Sequence, residues 1–257
     1  MTDLPRRLRL AAVNIDGVLL NDTFSPLIHR FVTGRGGVYS ADVERRIFSQ
    51  RQAVAGQAMA ESVPQEMTGP QALEAYFEER AGYLADHPVE IMDGALGLLG
   101  RLRAAGLPFV CYGGLDKSHF DEHLGAYAHL FAEPQYICTN EVRPGLEEIT
   151  AHFGLDHGEV LFIDDVARVA EAARALDAPF IGHPSTFEHS HQAQLMRETG
   201  VRHLVGSLHE IDDALLRTLD TEAAAGTVWR GEGSDAGDSG DAGDAGDVSK
   251  GLAGAGV

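Results

Sequence analysis

Five short apolar runs punctuate this chain, and most are separated by a segment of helical periodicity. The first, Arg9 to Val13, leads into Asn14-Ile15-Asp16-Gly17; the others are Pro108 to Tyr112, Tyr136 to Thr139, Val160 to Ile163 and Pro179 to Ile181. A strand buried on both faces reads as a continuous apolar run rather than an alternating one. Helices are expected at Gly94 to Ala105, stopped by Gly106, then at Lys117 to Tyr127, Pro144 to Phe153 and Ala167 to Leu176. Strands that alternate with helices predict an α/β fold built on a doubly wound parallel sheet.

Between the first and second runs the character changes. Asp42 to Ala60 and Gln71 to Ala85 have helical periodicity, and Pro70 opens the second at a first helical position. Residues 20–90 are therefore read as a helical insertion, with 1–19 and 91–220 forming the core domain. Phe24, Ile28, Phe31 and Val32, with Tyr76, Phe77, Tyr83 and Leu84, give the insertion two apolar faces expected to pack as its core. Residues 221–257 are read as an acidic tail: Asp recurs every third position from Asp235 to Asp247 among Gly, Ala and Ser, which leaves almost nothing to bury and predicts disorder.

Charge and cysteine content narrow the function classes. The 257 residues carry a formal charge of −19, of which −5 falls in residues 231–257. An acidic core and an acidic tail both argue against nucleic-acid or anionic-membrane partners. The apolar run after the basic N-terminal residues is too short for a signal core, and no window approaches a membrane span. Cys111 and Cys138 each sit in an apolar run expected to be a buried strand, which fits a reducing cytoplasm.

In open α/β sheets the ligand site lies beyond the carboxyl ends of the strands. The residues at those ends are Asn14 and Asp16, Tyr112 and Gly113, Thr139 and Asn140, and Asp164 and Asp165. Three carboxylates converging from two strands repel one another unless a cation or proton intervenes, so binding of a hard ion such as Mg2+ through oxygen is the physical inference. For Asp165 a plainer role is also open, capping the helix that follows.

These residues carry a resemblance. Val13 to Leu19, reading Val-Asn-Ile-Asp-Gly-Val-Leu, resembles the first motif of the haloacid dehalogenase (HAD) superfamily, and Leu161 to Asp165 resembles its fourth. Ile91 to Gly106 is similar to the helix before the second motif, Arg143-Pro144 to the third-motif Lys-Pro, and residues 20–90 to the helical cap; the likeness covers residues 8–210 or so. It implies a HAD-like Rossmannoid core of the phosphatase type. The family's first-motif Asp attacks phosphorus, and the Asp two residues later is general acid and base. Carried over, Asp16 keeps the proton-transfer role and Asn14 stands at the nucleophile position, where an amide is a far poorer nucleophile. Asn14, Asp16, Asp164 and Asp165 are the implied magnesium ligands, Asn14 through its amide oxygen.

Two further departures fall on the phosphoryl-binding side. The second motif's hydroxyl is missing from Val110-Cys111-Tyr112-Gly113-Gly114. Gly113 and Gly114 offer either backbone N–H groups to an anion or simply a tight turn. Arg143 replaces the third-motif Lys, keeping the charge in a different geometry. Lys117 is a substitute if its loop folds inward, and otherwise a solvated residue at a helix start. His183, His189 and His191 form either a transition-metal cluster or a polar loop.

The expected function is a HAD-like accessory or ligand-binding protein with impaired phosphatase activity, whose partner is a small phosphorylated ligand or another protein. The alternative is a magnesium-dependent small-molecule phosphatase in which Asn14 is an engineered or tolerated replacement of Asp.

Overall fold

The computed structural model describes residues 7–230. Five strands, β1 (Leu10–Asn14), β2 (Phe109–Gly113), β3 (Tyr136–Cys138), β4 (Val160–Asp164) and β5 (Phe180–Gly182), form one all-parallel sheet in the order β3-β2-β1-β4-β5. The central strand β1 reads Leu-Ala-Ala-Val-Asn and is buried at every position. Alternate residues point to opposite faces. Leu10, Ala12, Val110, Tyr112 and Phe162 enter one apolar cluster, while Ala11, Val13, Phe109, Cys111 and Ile163 enter the other.

Helices cover both faces. On the first lie α7 (Leu146–Phe153), α8 (Ala167–Ala175) and α9 (Gln192–Thr199), contributing Ile149, Val169 and Leu195. On the second lie α5 (Ala95–Ala104), α6 (Lys117–Leu124) and α10 (Asp213–Ala225), contributing Leu98, Phe120 and Leu219. The chain builds outward from β1 to β3, then returns to lay β4 on the other side of β1. That reversal opens a crevice at the carboxyl ends of β1 and β4.

Four helices lie between β1 and β2 ahead of α5: α1 (Phe24–Gly34), α2 (Ala41–Ile47), α3 (Gln52–Glu61) and α4 (Gly69–Asp86). The segments entering and leaving this insertion pair with each other, Asn21 N–H donating to the Glu90 carbonyl at 2.9 Å and Glu90 N–H to Asn21 Oδ1 at 2.9 Å. Helix α4 opens on a capping box between Thr68 and Gln71, with Pro70 in its first turn. Leu27, Ile28, Phe31, Val32 and Tyr76 are buried, whereas Phe77 is exposed.

Three expectations are corrected. The helix read from Asp42 to Ala60 is two, because Phe48 adopts extended backbone after α2 and Ser49 a positive φ of 53° before α3 begins. The boundary placed at 221 falls inside α10, which runs to Ala225 and stops at Gly226. Beyond it, Trp229 donates its indole N–H to the Ala178 carbonyl at 2.9 Å. The expected disorder of residues 231–257 concerns a segment outside the described residues. Third, Cys111 is buried but Cys138, at the end of an edge strand, is exposed. Among the described residues no helix is long and apolar enough to cross a membrane.

Candidate functional site

Asn14 closes β1, opposite Tyr112 on β2, and is buried. The chain then turns over Gly17, whose φ of +84° suits glycine alone, and a Cβ there would lie 2.2 Å from Asp165 Oδ2. This close approach brings the end of β4 over the loop after β1. The side-chain amide of Asn14 donates to the Asp16 carbonyl at 2.7 Å and to Asp165 Oδ1 at 2.9 Å. Asp165 is thus turned into the site. It does not cap the following helix, whose first N–H, that of Ala167, is taken by Gln192 Oε1 at 2.7 Å, while Asp164 Oδ1 accepts from Val166 N–H at 2.8 Å in the turn before it.

Asp164 is tied on its other oxygen as well. The Tyr112 hydroxyl reaches from β2 past β1 to donate to Asp164 Oδ2 at 2.5 Å. Burial raises the Asp164 pKa to about 6, partly offset by that hydrogen bond. Burial, then the charge of Asp164, pushes the Asp165 carboxyl well above the ordinary carboxylate range.

Asp16 has a partner that sequence reasoning missed. His119, in the first turn of α6, places Nε2 2.8 Å from Asp16 Oδ1, with both side chains largely buried. The available signal was positional, since His119 follows the glycine pair by five residues and so returns towards the strand ends.

The β2 side is built differently. The Gly113 carbonyl accepts from Thr139 N–H at 2.8 Å and from its hydroxyl at 3.0 Å, and a Cβ on Gly113 would meet Ile15 Cγ2 at 2.5 Å. Gly113 therefore packs the strand end tightly. Gly114 faces the Arg143 guanidinium, 3.6 Å from where its Cβ would lie. Arg143 also donates to the Thr139 hydroxyl at 3.1 Å. Lys117 does not join them: it pairs with Asp121 along α6 and is half exposed.

Over these groups lies a cavity of about 140 Å³. Asn14, Asp16, Asp165, Gly114, Asn140 and Arg143 form its floor; the insertion supplies the apolar Phe24, Ile28, Phe48, Met59 and Tyr76 together with the polar Asp22, Ser49, Gln50 and Gln52.

Of the three histidines His183 stands apart, while His189 and His191 line one pocket with His29 and Tyr39. His183 Nδ1 lies 3.0 Å from the Gly17 carbonyl, behind the site, and burial lowers its pKa. His189 stacks on His29 of α1 with ring centroids 4.3 Å apart, and His191 faces Tyr39. Among the described residues no group of three or more His, Cys, Asp or Glu is arranged to hold a metal ion.

Magnesium requires about six oxygen donors in octahedral array. The four expected ligands do not fit it as they stand. Asn14 turns its NH2 group, not its oxygen, towards Asp16 and Asp165, both Asp164 oxygens are engaged, and the Asp16 carboxylate is paired with His119.

Sheet order, insertion point and the residues at the strand ends together define a HAD-like α/β fold. Comparison with solved structures agrees. A family IA, variant 3 HAD hydrolase from Entamoeba histolytica superposes with a TM-score of 0.60 at 17% identity, covering 83% of this chain and 100% of the other. A conserved haloacid dehalogenase-like protein of unknown function from Agrobacterium tumefaciens gives 0.58 at 20% identity, covering 85% and 98%. A HAD family hydrolase from Deinococcus radiodurans, with bound phosphate and sodium, gives 0.55 at 20%, covering 85% and 97%. No family model matches the sequence, and no curated protein does. At these identities the likeness carries the fold, and the chemistry rests on the residues.

Proposed function

We propose that this is a HAD-like ligand-binding protein with impaired or absent phosphatase activity, which holds a small phosphorylated molecule under a helical cap. The observation that carries the reading is Asn14. It occupies the end of the central strand, where a nucleophile would face the cavity, yet it is a neutral amide whose NH2 group is held by Asp16 and Asp165. An amide in this state offers phosphorus no anionic oxygen. Arg143, facing Gly114 across the cavity floor, supplies positive charge for an oxyanion, and the insertion's aromatic and aliphatic side chains would cover its organic part.

A second reading, a magnesium-dependent hydrolase in which Asn14 stands in for Asp, is favoured by one pair. Asp16 and His119, 2.8 Å apart, are placed to exchange a proton at the cavity floor. Hydrolysis of a phosphomonoester panel with magnesium, by the unaltered chain and by Asn14→Asp side by side, separates the two. The expected result is turnover by neither protein or by Asn14→Asp alone. Turnover by the unaltered chain defeats the proposal.

A further inference from the structure

We propose that the Asn14 side-chain amide takes the place of a divalent cation in this site, so that the native protein neither needs nor holds one there. The inference rests on the ligand-binding reading and deepens it. Two oxygens from separate parts of the chain, the Asp16 carbonyl after β1 and the Asp165 carboxylate after β4, converge on one nitrogen at 2.7 and 2.9 Å. The amide has two hydrogens, and these two acceptors use both.

The orientation of the amide follows from its surroundings. If Asn14 were turned over, its oxygen would face two other oxygens with no hydrogen or cation among them. The partial positive charge of the NH2 group instead does at this point what a metal ion does for converging oxygens: it removes their mutual repulsion. Charge gives the same answer. A carboxylate at position 14 would stand against Asp165, which is itself buried beside Asp164, and only a cation or a proton would relieve the pair. An amide removes one negative charge and adds a donor, so the pair is stable with no ion.

No other arrangement of the neighbouring ligands compensates. Asp164 is held by the Tyr112 hydroxyl and Val166 N–H, and Asp16 by His119. An entering ion must displace both hydrogen bonds of the Asn14 amide, reverse its side chain and accept one fewer anionic ligand. Oxyanion binding in the cavity then depends on Arg143 and is independent of magnesium.

The test is thermal denaturation and calorimetric titration of the full chain with Mg2+, against EDTA. For the native protein the expectation is no change in Tm and no binding at millimolar Mg2+. Asn14→Asp should melt lower in EDTA and recover by about 5 °C or more when Mg2+ is added. If Asn14→Asp does not fold, Asn14→Ala serves, because it vacates the nitrogen's place while leaving both acceptors, and its Tm should respond to Mg2+ where the native Tm does not. Binding of Mg2+ by the native chain overturns the proposal, as does the absence of a magnesium response in whichever variant folds. Phosphatase turnover is read separately: activity without magnesium binding would overturn the functional reading and leave this one standing, whereas magnesium binding without turnover would do the reverse.

Discussion

The two flanks of β1 meet the same cavity in opposite ways. On the β4 flank each of these polar groups has a partner within the protein: Asp164 in Tyr112 and Val166, Asp165 Oδ1 in Asn14, and the Gly17 carbonyl in His183. On the β2 flank Gly114 and Arg143 line the cavity, with no hydroxyl at the strand end and Lys117 turned out to Asp121. One flank is an internally satisfied polar network, in which each loss strands a buried group; the other is a binding surface, whose groups complete themselves on a ligand. Substitutions on the first should therefore be read in stability, and those on the second in affinity.

The largest expected effect falls where the first flank is tightest. In Gly17→Ala a Cβ would stand 2.2 Å from Asp165 Oδ2 and 2.4 Å from its Cγ, on a backbone with φ of +84°. Overpacking and backbone strain add, so urea denaturation should show a loss of about 4 kcal/mol. A loss below about 1 kcal/mol would mean that Asp165 swings away freely, and the description of this flank as a locked network would be wrong.

Tyr112→Phe removes a side chain that ties the flanks together, and about 2 kcal/mol should go with it, since the bond it makes is buried and charge-assisted. The effect should depend on pH. Asp164 has its folded pKa raised from 3.8 to about 6, so its contribution to stability is greatest below about pH 4 and declines as pH rises to about 6. The Tyr112 bond favours the ionised form, and without it the folded pKa climbs further. The difference between variant and native stability should consequently widen from pH 5 to pH 8. A difference that stays constant with pH would show that Tyr112 does not act on the charge of Asp164.

Local sequence carried some of this contrast and not the rest. The apolar runs and their polar endings were enough for a parallel sheet with the site residues at one edge, because both follow from burial of consecutive strand residues. The break at Phe48 was hidden, since Arg46 to Gln50 contains neither Gly nor Pro to mark it. His119 was hidden because its pairing with Asp16 spans 103 residues and depends on how α6 leaves the sheet. The direction of the Asn14 amide was beyond reach for a similar reason: the sequence supplies an oxygen and a nitrogen on one side chain, and only the placement of Asp16 and Asp165 decides between them. Lys117 could be read as turned into the site or as solvated at a helix start until α6 gave it Asp121, four residues on, as a partner.

The smallest expected change in stability belongs to Gly114→Ala, and it separates the two meanings a glycine pair can have. Gly113 has no room for a side chain, but at Gly114 the nearest neighbour of a Cβ is the Arg143 guanidinium at 3.6 Å, an ordinary contact, with no positive φ to strain. Stability should stay within about 0.5 kcal/mol of the native protein. The added methyl would nevertheless stand in the cavity beside the guanidinium, where an oxyanion has to approach, so calorimetric affinity for inorganic phosphate should fall about tenfold. If stability drops by about 2 kcal/mol while phosphate affinity is untouched, Gly114 serves only the turn, and the β2 flank is as much a structural network as the β4 flank.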